Sequence, residues 1–225
     1  MFSATKTRPE TAIQTLFRVH GSPKKIKRKA LLNPGADDTK RLYVITKGSV
    51  RVTLNNEDGD DVIHLCFLQP GDVFGEEGLF DSGVESLSNA TLHARTDVEV
   101  ISVPHAVVER QAEADPRLYS EISSQINRRL ARTTTKLAQV LFLDLEQRCY
   151  DSLIDMTRLP DAMTHPDGMQ IKLTRIDLAQ MVRCSRETAG RLLKTLAQKN
   201  MVSVQGQSIV VNGVRNRPPL YQGQL

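Results

Sequence analysis

The sequence predicts an α+β chain: an N-terminal β-roll, a long helix and a C-terminal winged helix-turn-helix. Three observations predict it. Short β-rich runs separated by turn residues fill residues 42–102, an apolar stripe at helical spacing runs from Leu118 to Leu141, and residues 174–196 carry two helix signatures joined by a short break. Regularly spaced short strands indicate an antiparallel barrel or roll, and an apolar residue at every third or fourth position indicates a helix. At 225 residues the chain is long enough for two modest domains. Residues 1–115 read as the roll, 116–144 as the long helix and hinge, 145–213 as the winged helix-turn-helix, and 214–225 as a disordered tail.

In chain order, Ile13, Leu16 and Phe17 give a weak helical pattern, followed by the basic run Lys24, Lys25, Lys27, Arg28 and Lys29. That run reads either as a solvated face or as a contact for phosphate or an acidic protein surface. Tyr43, Ile45, Val50, Val52 and Leu54 form β-rich runs broken at Lys47-Gly48, and Asp58-Gly59 suits a hairpin turn before a strand at residues 62–68. Pro70-Gly71-Asp72 is a further turn, and two short strands flank Thr96-Asp97. Within this region lies GDVFGEEGLF, residues 71–80. Its glycines would let backbone amides converge as they do around a phosphate, with Glu76 accepting from a sugar hydroxyl; glycines serving only a tight corner are the alternative. Glu76 and Glu77 are sequence neighbours that point apart, and no nucleophile and histidine accompany them, so no catalytic residue is assigned.

The stripe Leu118, Ile122, Ile126, Leu130, Thr133, Leu137 and Leu141 is longer than one small roll can cover, which points to a homodimer seam. Residues 141–144 link to a helix over 145–156, and 159–168 read as a loop. Thr174 followed by Asp177 is a capping-box-like helix start, with Ile176, Leu178, Ala179, Met181 and Val182 on its apolar side. Arg183, Cys184 and Ser185 form the turn, where Arg183 sits at a position easier for glycine. Ser185 can cap a second helix that buries Ala189, Leu192, Leu193 and Leu196 and exposes Arg186, Glu187, Gly190, Arg191 and Lys194. Arg186 and Arg191 can each donate two hydrogen bonds to guanine O6 and N7, and Glu187 can accept from a cytosine amine, so this face suits double-stranded DNA. The competing reading is a ligand-binding or protein-interaction module whose charged helix face is merely solvated. Residues 201–211 alternate around Gly206 as a wing hairpin, and the tail has too little apolar content to order itself.

Thirty Lys and Arg against 26 Asp and Glu give a net charge of +4, which permits an anionic partner. Cys66, Cys149 and Cys184 lie far apart without metal-site or redox spacing, so no metal is assigned and the thiols are expected reduced and buried. No membrane-length apolar run or signal-peptide segment is present, which leads to a cytoplasmic expectation and no membrane contact.

The order of parts, with PGDVFGEEGLF, FLDL, PDAMTHPDGMQIK and CSRET, resembles the cAMP receptor protein (Crp/Fnr) family of bacterial transcription regulators over nearly the whole chain. The resemblance implies a cyclic-nucleotide-binding-like roll and a transcription activator. By it, Arg186, Glu187 and Arg191 would read a palindromic TGTGA-type site, Ser185 would touch phosphate, and Ala162, Met163, Thr164, His165, Pro166 and Asp167 would face RNA polymerase. Gly75, Glu76, Thr133 and Thr134 match the family's ligand pocket, with Ser88 and Asn89 in the aligned loop. The phosphate end departs. Residues 77–94 hold no Lys or Arg, Asp81 and Glu85 add negative charge, and Arg95 reaches back only if the loop refolds. Weak cAMP binding, another ligand such as cyclic di-GMP, or no ligand at all remain open, and cAMP is disfavoured because an uncompensated phosphate would be desolvated beside carboxylates.

Overall fold

Thr11 caps the first described helix. In the computed structural model, which describes residues 10–32, 40–55, 62–80 and 90–215, it closes a capping box with Gln14 and starts α1 (Ala12–His20). The free amides of Ala12 and Ile13 at the helix start donate to the Glu121 carboxylate at 3.1 and 2.8 Å, tying α1 to the long helix α3 (Arg117–Phe142).

The roll consists of β1 (Ser22–Ile26), β2 (Arg41–Lys47), β3 (Val50–Asn55), β4 (Val62–Leu68), β5 (Val73–Phe74), β6 (Ala90–Ala94) and β7 (Val98–Pro104). They form two antiparallel sheets, ordered β1-β7-β2-β5 and β4-β3-β6. Both faces of β2 are buried. Tyr43 and Ile45 point between the sheets, with Tyr43 stacked on Phe74 at 4.9 Å, while Leu42 and Val44 pack outward under α1, α2 (His105–Ala114) and α3. One strand therefore feeds two cores, which is why LYVI reads as a continuous apolar run. A bulge at Val52/Thr53 leaves Leu65 unmatched on β4. The Asp58-Gly59 turn lies outside the described residues.

Helix α2 lies between the last strand of the roll and α3, where the sequence reading assigned no element: His105, Val108 and Ala112 bury one of its faces. Along α3 the predicted stripe divides. Leu118 and Ile122 are buried under the roll, whereas Leu130, Leu137 and Leu141 are 60%, 59% and 67% exposed. At 26 residues α3 spans about 39 Å; Arg132 still pairs with Asp72 of the roll, and one turn further Lys136 pairs with Asp155, beyond the hinge.

After the hinge, Asp144 caps α4 (Leu145–Met156). The expected loop over 159–168 instead contains β8 (Met163–His165), paired with β9 (Gly168–Lys172) around a Pro166-Asp167 turn. Its polar sequence hid a strand that pairs along only one edge. Helices α5 (Arg175–Val182) and α6 (Arg186–Gln198) follow, then the wing, β10 (Val202–Gln205) and β11 (Ser208–Asn212), in a sheet ordered β10-β11-β9-β8. Leu153, Met156, Ile171, Leu178, Leu196 and Ile209 form the core of this unit.

Three expectations need correction here. Ile176 is 54% exposed rather than packed, because the buried side of α5 is set by Leu178, Ala179, Met181 and Val182. Only Cys149 is buried; Cys66 and Cys184 are half-buried, and all three thiols are free. The chain beyond the wing stays packed through Arg215, with Val214 against the core, the Gly213 amide donating to Asp167 O and Arg215 donating to Pro166 O; the rest of the expected tail lies outside the described residues.

Candidate DNA-reading surface and effector pocket

Thr174 Oγ1 accepts from the Asp177 amide at 3.1 Å and donates to the Asp177 carboxylate at 2.6 Å, so both side chains fix the start of α5. Arg183 ends that helix in the left-handed region at φ 53°, as its place in the turn predicts, at a cost of about 1 kcal/mol for a non-glycine residue. Arg148 Nη2 donates to Val182 O at 2.6 Å and satisfies an otherwise orphan carbonyl at the turn. Ser185 Oγ then accepts from the Thr188 amide at 3.0 Å and starts α6.

The helix so placed buries Ala189, Leu193 and Leu196, with Leu192 half-buried, against α4 and α5. Ser185, Arg186, Glu187, Arg191 and Lys194 are exposed, and Gly190 lies half-buried among them. Arg191 donates to Thr188 Oγ1 at 3.2 Å, which steadies its guanidinium. Among the described residues the side chains of Arg186, Glu187 and Lys194 have no partner, so their hydrogen-bonding groups are free to meet base edges or phosphate. A Cβ on Gly190 would meet only the Arg175 side chain, at 3.7 Å, so intramolecular packing does not require the glycine.

The roll pocket is different, because its polar groups are already engaged. Gly75 has φ 81°, and a Cβ there would meet Arg41 O at 2.4 Å, so this corner admits only glycine. His105 Nε2 lies 2.8 Å from Gly75 O. Glu76 is 6% exposed, and its carboxylate accepts from Arg129 Nη2 on α3. One turn along, Arg132 Nη1 lies 3.4 Å from Asp72. Burial pushes the Arg129 guanidinium below its usual range, partly offset by Asp72 nearby. Thr133 is half-buried, its hydroxyl spent on Arg129 O at 3.1 Å, and Thr134 is exposed. Ser88, Asn89, Asp81 and Glu85 lie outside the described residues.

The pocket thus has cations that a strand-by-strand reading missed, and they come from α3. Gln125, Arg129, Arg132 and Lys136 recur at helical spacing, a polar row beside the apolar stripe that could have revealed a second buried face. Arg95 does not reach back to the phosphate loop: it pairs with Asp161 and donates to Lys172 O at 3.1 Å in the C-terminal unit. On the β8–β9 hairpin, Met163, Thr164, Pro166 and Asp167 are exposed, while Ala162 and His165 are half-buried. Among the described residues no group of three or more His, Cys, Asp or Glu side chains could hold a metal ion, and no helix is long and apolar enough to cross a membrane.

A roll with a glycine-bracketed carboxylate corner, joined by a long helix to a winged helix-turn-helix, is the build of a ligand-responsive transcription regulator. Sequence models of the cyclic nucleotide-binding domain and of the Crp-like helix-turn-helix domain match residues 26–115 and 135–215. The chain is 41% identical over 199 residues to the cAMP-activated global transcriptional regulator CRP of Salmonella typhimurium, covering 88% of this chain and 93% of that one. It belongs to the cAMP receptor protein (Crp/Fnr) family of DNA-binding transcription regulators. The cAMP-activated global transcriptional regulator Vfr of Pseudomonas aeruginosa is 40% identical over 180 residues, covering 80% of this chain and 84% of Vfr. Among solved structures, the c-di-GMP responsive global regulator CLP of Xanthomonas campestris superposes with a TM-score of 0.75 at 30% identity, covering 90% of this chain and 99% of CLP.

Proposed function

We propose that the chain acts as a homodimer that reads a palindromic TGTGA-type site and contacts RNA polymerase through Ala162, Met163, Thr164, His165, Pro166 and Asp167. Residues 145–213 form the reading unit, 116–144 the dimer helix and hinge, and 1–115 the effector unit. The observation that carries this reading is α6 itself: Arg186, Glu187 and Arg191 stand exposed on a helix capped by Ser185 and anchored by buried leucines. Arg186 and Arg191 address guanines, Glu187 a cytosine amine, and Ser185 and Lys194 phosphate, with Gly190 admitting close approach of the helix. Exposed Leu130, Leu137 and Leu141 are the seam, since a monomer rarely leaves such a stripe in water.

For the effector, Gly75, Glu76, Ser88, Asn89, Thr133 and Thr134 mark the site, and cAMP binds it weakly. In support, Arg129 and Arg132 are already paired with Glu76 and Asp72, Arg95 is engaged elsewhere, and residues 77–94 hold no Lys or Arg. Absence of one charge-assisted hydrogen bond to the phosphate costs about 1.5–3 kcal/mol, or one to two decades in affinity. The test is a gel-shift titration on a TGTGA(N6)TCACA duplex with no ligand, cAMP or cyclic di-GMP, paired with calorimetry. Tight binding without ligand or with cyclic di-GMP supports the reading. Micromolar cAMP affinity on which DNA binding depends refutes it.

A further inference from the structure

Strand β4 is held among three other elements: it pairs with β3, and both the long helix α3 and α5 of the reading unit pack against it. At this junction His64, opposite Thr53 in the register, is only 5% exposed. Neither of its ring nitrogens has a hydrogen-bond partner among the described residues. Buried polar groups nearly always have one, so an unpartnered ring at a contact between two units asks for a reason. The ring meets Phe67 edge-on, at 4.2 Å between centroids, and Phe67 packs on the core of the reading unit with Arg95 over its face at 5.8 Å.

Charged groups face this ring from each surrounding element. Arg51 of β3 crosses from the roll to α5, where it lies 2.9 Å from Asp177 Oδ1 and 3.4 Å from Gln180 Oε1. Lys136 of α3 lies 3.6 Å from Asp155 of α4. On β6 the half-buried His93 stands opposite Arg51. Two cations and one carboxylate therefore face His64, and that carboxylate already accepts from Arg51 and from Thr174. A neutral imidazole fits the site. An imidazolium would lose its water beside Lys136 and Arg51, and burial together with these two cations holds the ring's pKa down at about 3.

We propose that His64 is an acid-released latch between the roll and the reading unit: the neutral ring lets β4 seat against α5, and a proton taken up when the two part holds them apart. In the parted state the ring is hydrated and titrates near its ordinary 6.5, so the contact has full strength above that pH and weakens as pH falls toward about 3. Between pH 7.5 and 5.5 the protonated share of the parted state goes from about a tenth to about nine-tenths, and the ratio of parted to seated molecules rises about tenfold. Release uncouples the orientation of α6 from the roll, which makes the reading unit responsive to acid without any ligand. The latch is a property of the single chain and does not rest on how α6 reads DNA.

Met181 reports on this contact. It stands one turn from Asp177 on the same side of α5, lines the cleft with Arg51 and Phe67, and is buried while the units are seated. The test treats the full chain with dilute hydrogen peroxide at pH 7.5 and 5.5 and follows sulfoxide at each methionine by peptide mass spectrometry. The exposed Met163 supplies the rate of an unprotected thioether, and Met156, in the core, reports global unfolding. Expected is a rate at Met181, relative to Met163, that rises about tenfold on acidification in the wild-type chain and less than about twofold in His64→Leu, with Met156 protected throughout. His64→Gln, which gains no proton in this range, should give the same flat profile. No rise in the wild-type chain, an equal rise in either variant, or oxidation of Met156 in step with Met181 would overturn the proposal.

Discussion

Gly190→Ala separates the two roles that one helix position can have. A Cβ there would lie 3.7, 3.8 and 3.9 Å from Cδ, Nε and Cζ of Arg175, all ordinary contacts with a flexible side chain. The folded state therefore accommodates the methyl, and replacing glycine by alanine inside a helix stabilises by about 0.8–1.0 kcal/mol. For a unit of the size of residues 145–213, that raises the melting temperature by about 4–8 °C. Gly190 stands one turn from both Arg186 and Lys194, in the middle of the exposed face. Against a DNA groove, an added methyl costs about 1–3 kcal/mol of overpacking, or fivefold and more in affinity. Differential scanning calorimetry and fluorescence anisotropy on the palindromic duplex measure the two effects. Higher stability with unchanged DNA affinity would show that this face does not enter a groove, and lower stability would show that the packing argument is wrong.

Leu137→Asp should convert the protein to a monomer in sedimentation equilibrium without unfolding it, because Leu137 is 59% exposed in the single chain and only a seam would bury the new charge; a persisting dimer contradicts the seam. Replacing Lys24, Lys25 and Lys27 by Ala should leave stability nearly unchanged, since Lys25–Glu99 at 3.8 Å and Lys27–Asp97 at 3.5 Å are surface pairs. The same change should lower the slope of log K against log salt by about 0.9 for each DNA phosphate that these lysines neutralise, and an unchanged slope would mark the run as a solvated edge of β1. Burial raises all three thiols, Cys149 to about 12, so thiolate is scarce at pH 8 and access decides the order: iodoacetamide should modify the half-buried Cys184 and Cys66 before the fully buried Cys149. Equal rates at all three cysteines would mean that the core around α4 opens readily.

The sequence made the reading unit legible nearly residue by residue, because its signals are local. Thr174, Ser185 and the leucine spacing determine caps and a buried face within one or two turns, and even the left-handed Arg183 follows from its place between two caps. The roll pocket was less legible because its partners are far apart in the chain. Glu76 meets Arg129 across 53 positions, and Arg95 meets Asp161 across 66, so no window of sequence holds both charges. Helix α2 was hidden because its buried positions include His105, whose polar ring is satisfied by Gly75 O and so does not register as core. Strand β8 was hidden because it has a single pairing edge and a polar sequence.

The claim that α6 reads bases is tested most directly by titrating the wild-type chain and Arg186→Ala on the TGTGA(N6)TCACA duplex and on a random duplex of equal length. Arg186 is exposed and its side chain makes no hydrogen bond or ion pair among the described residues, so its removal leaves the fold intact and isolates its part in recognition. Base readout predicts a loss of about 1–3 kcal/mol on the palindrome and less than about twofold on random DNA. Equal losses on the two duplexes, or a wild-type chain that does not distinguish them, would contradict it.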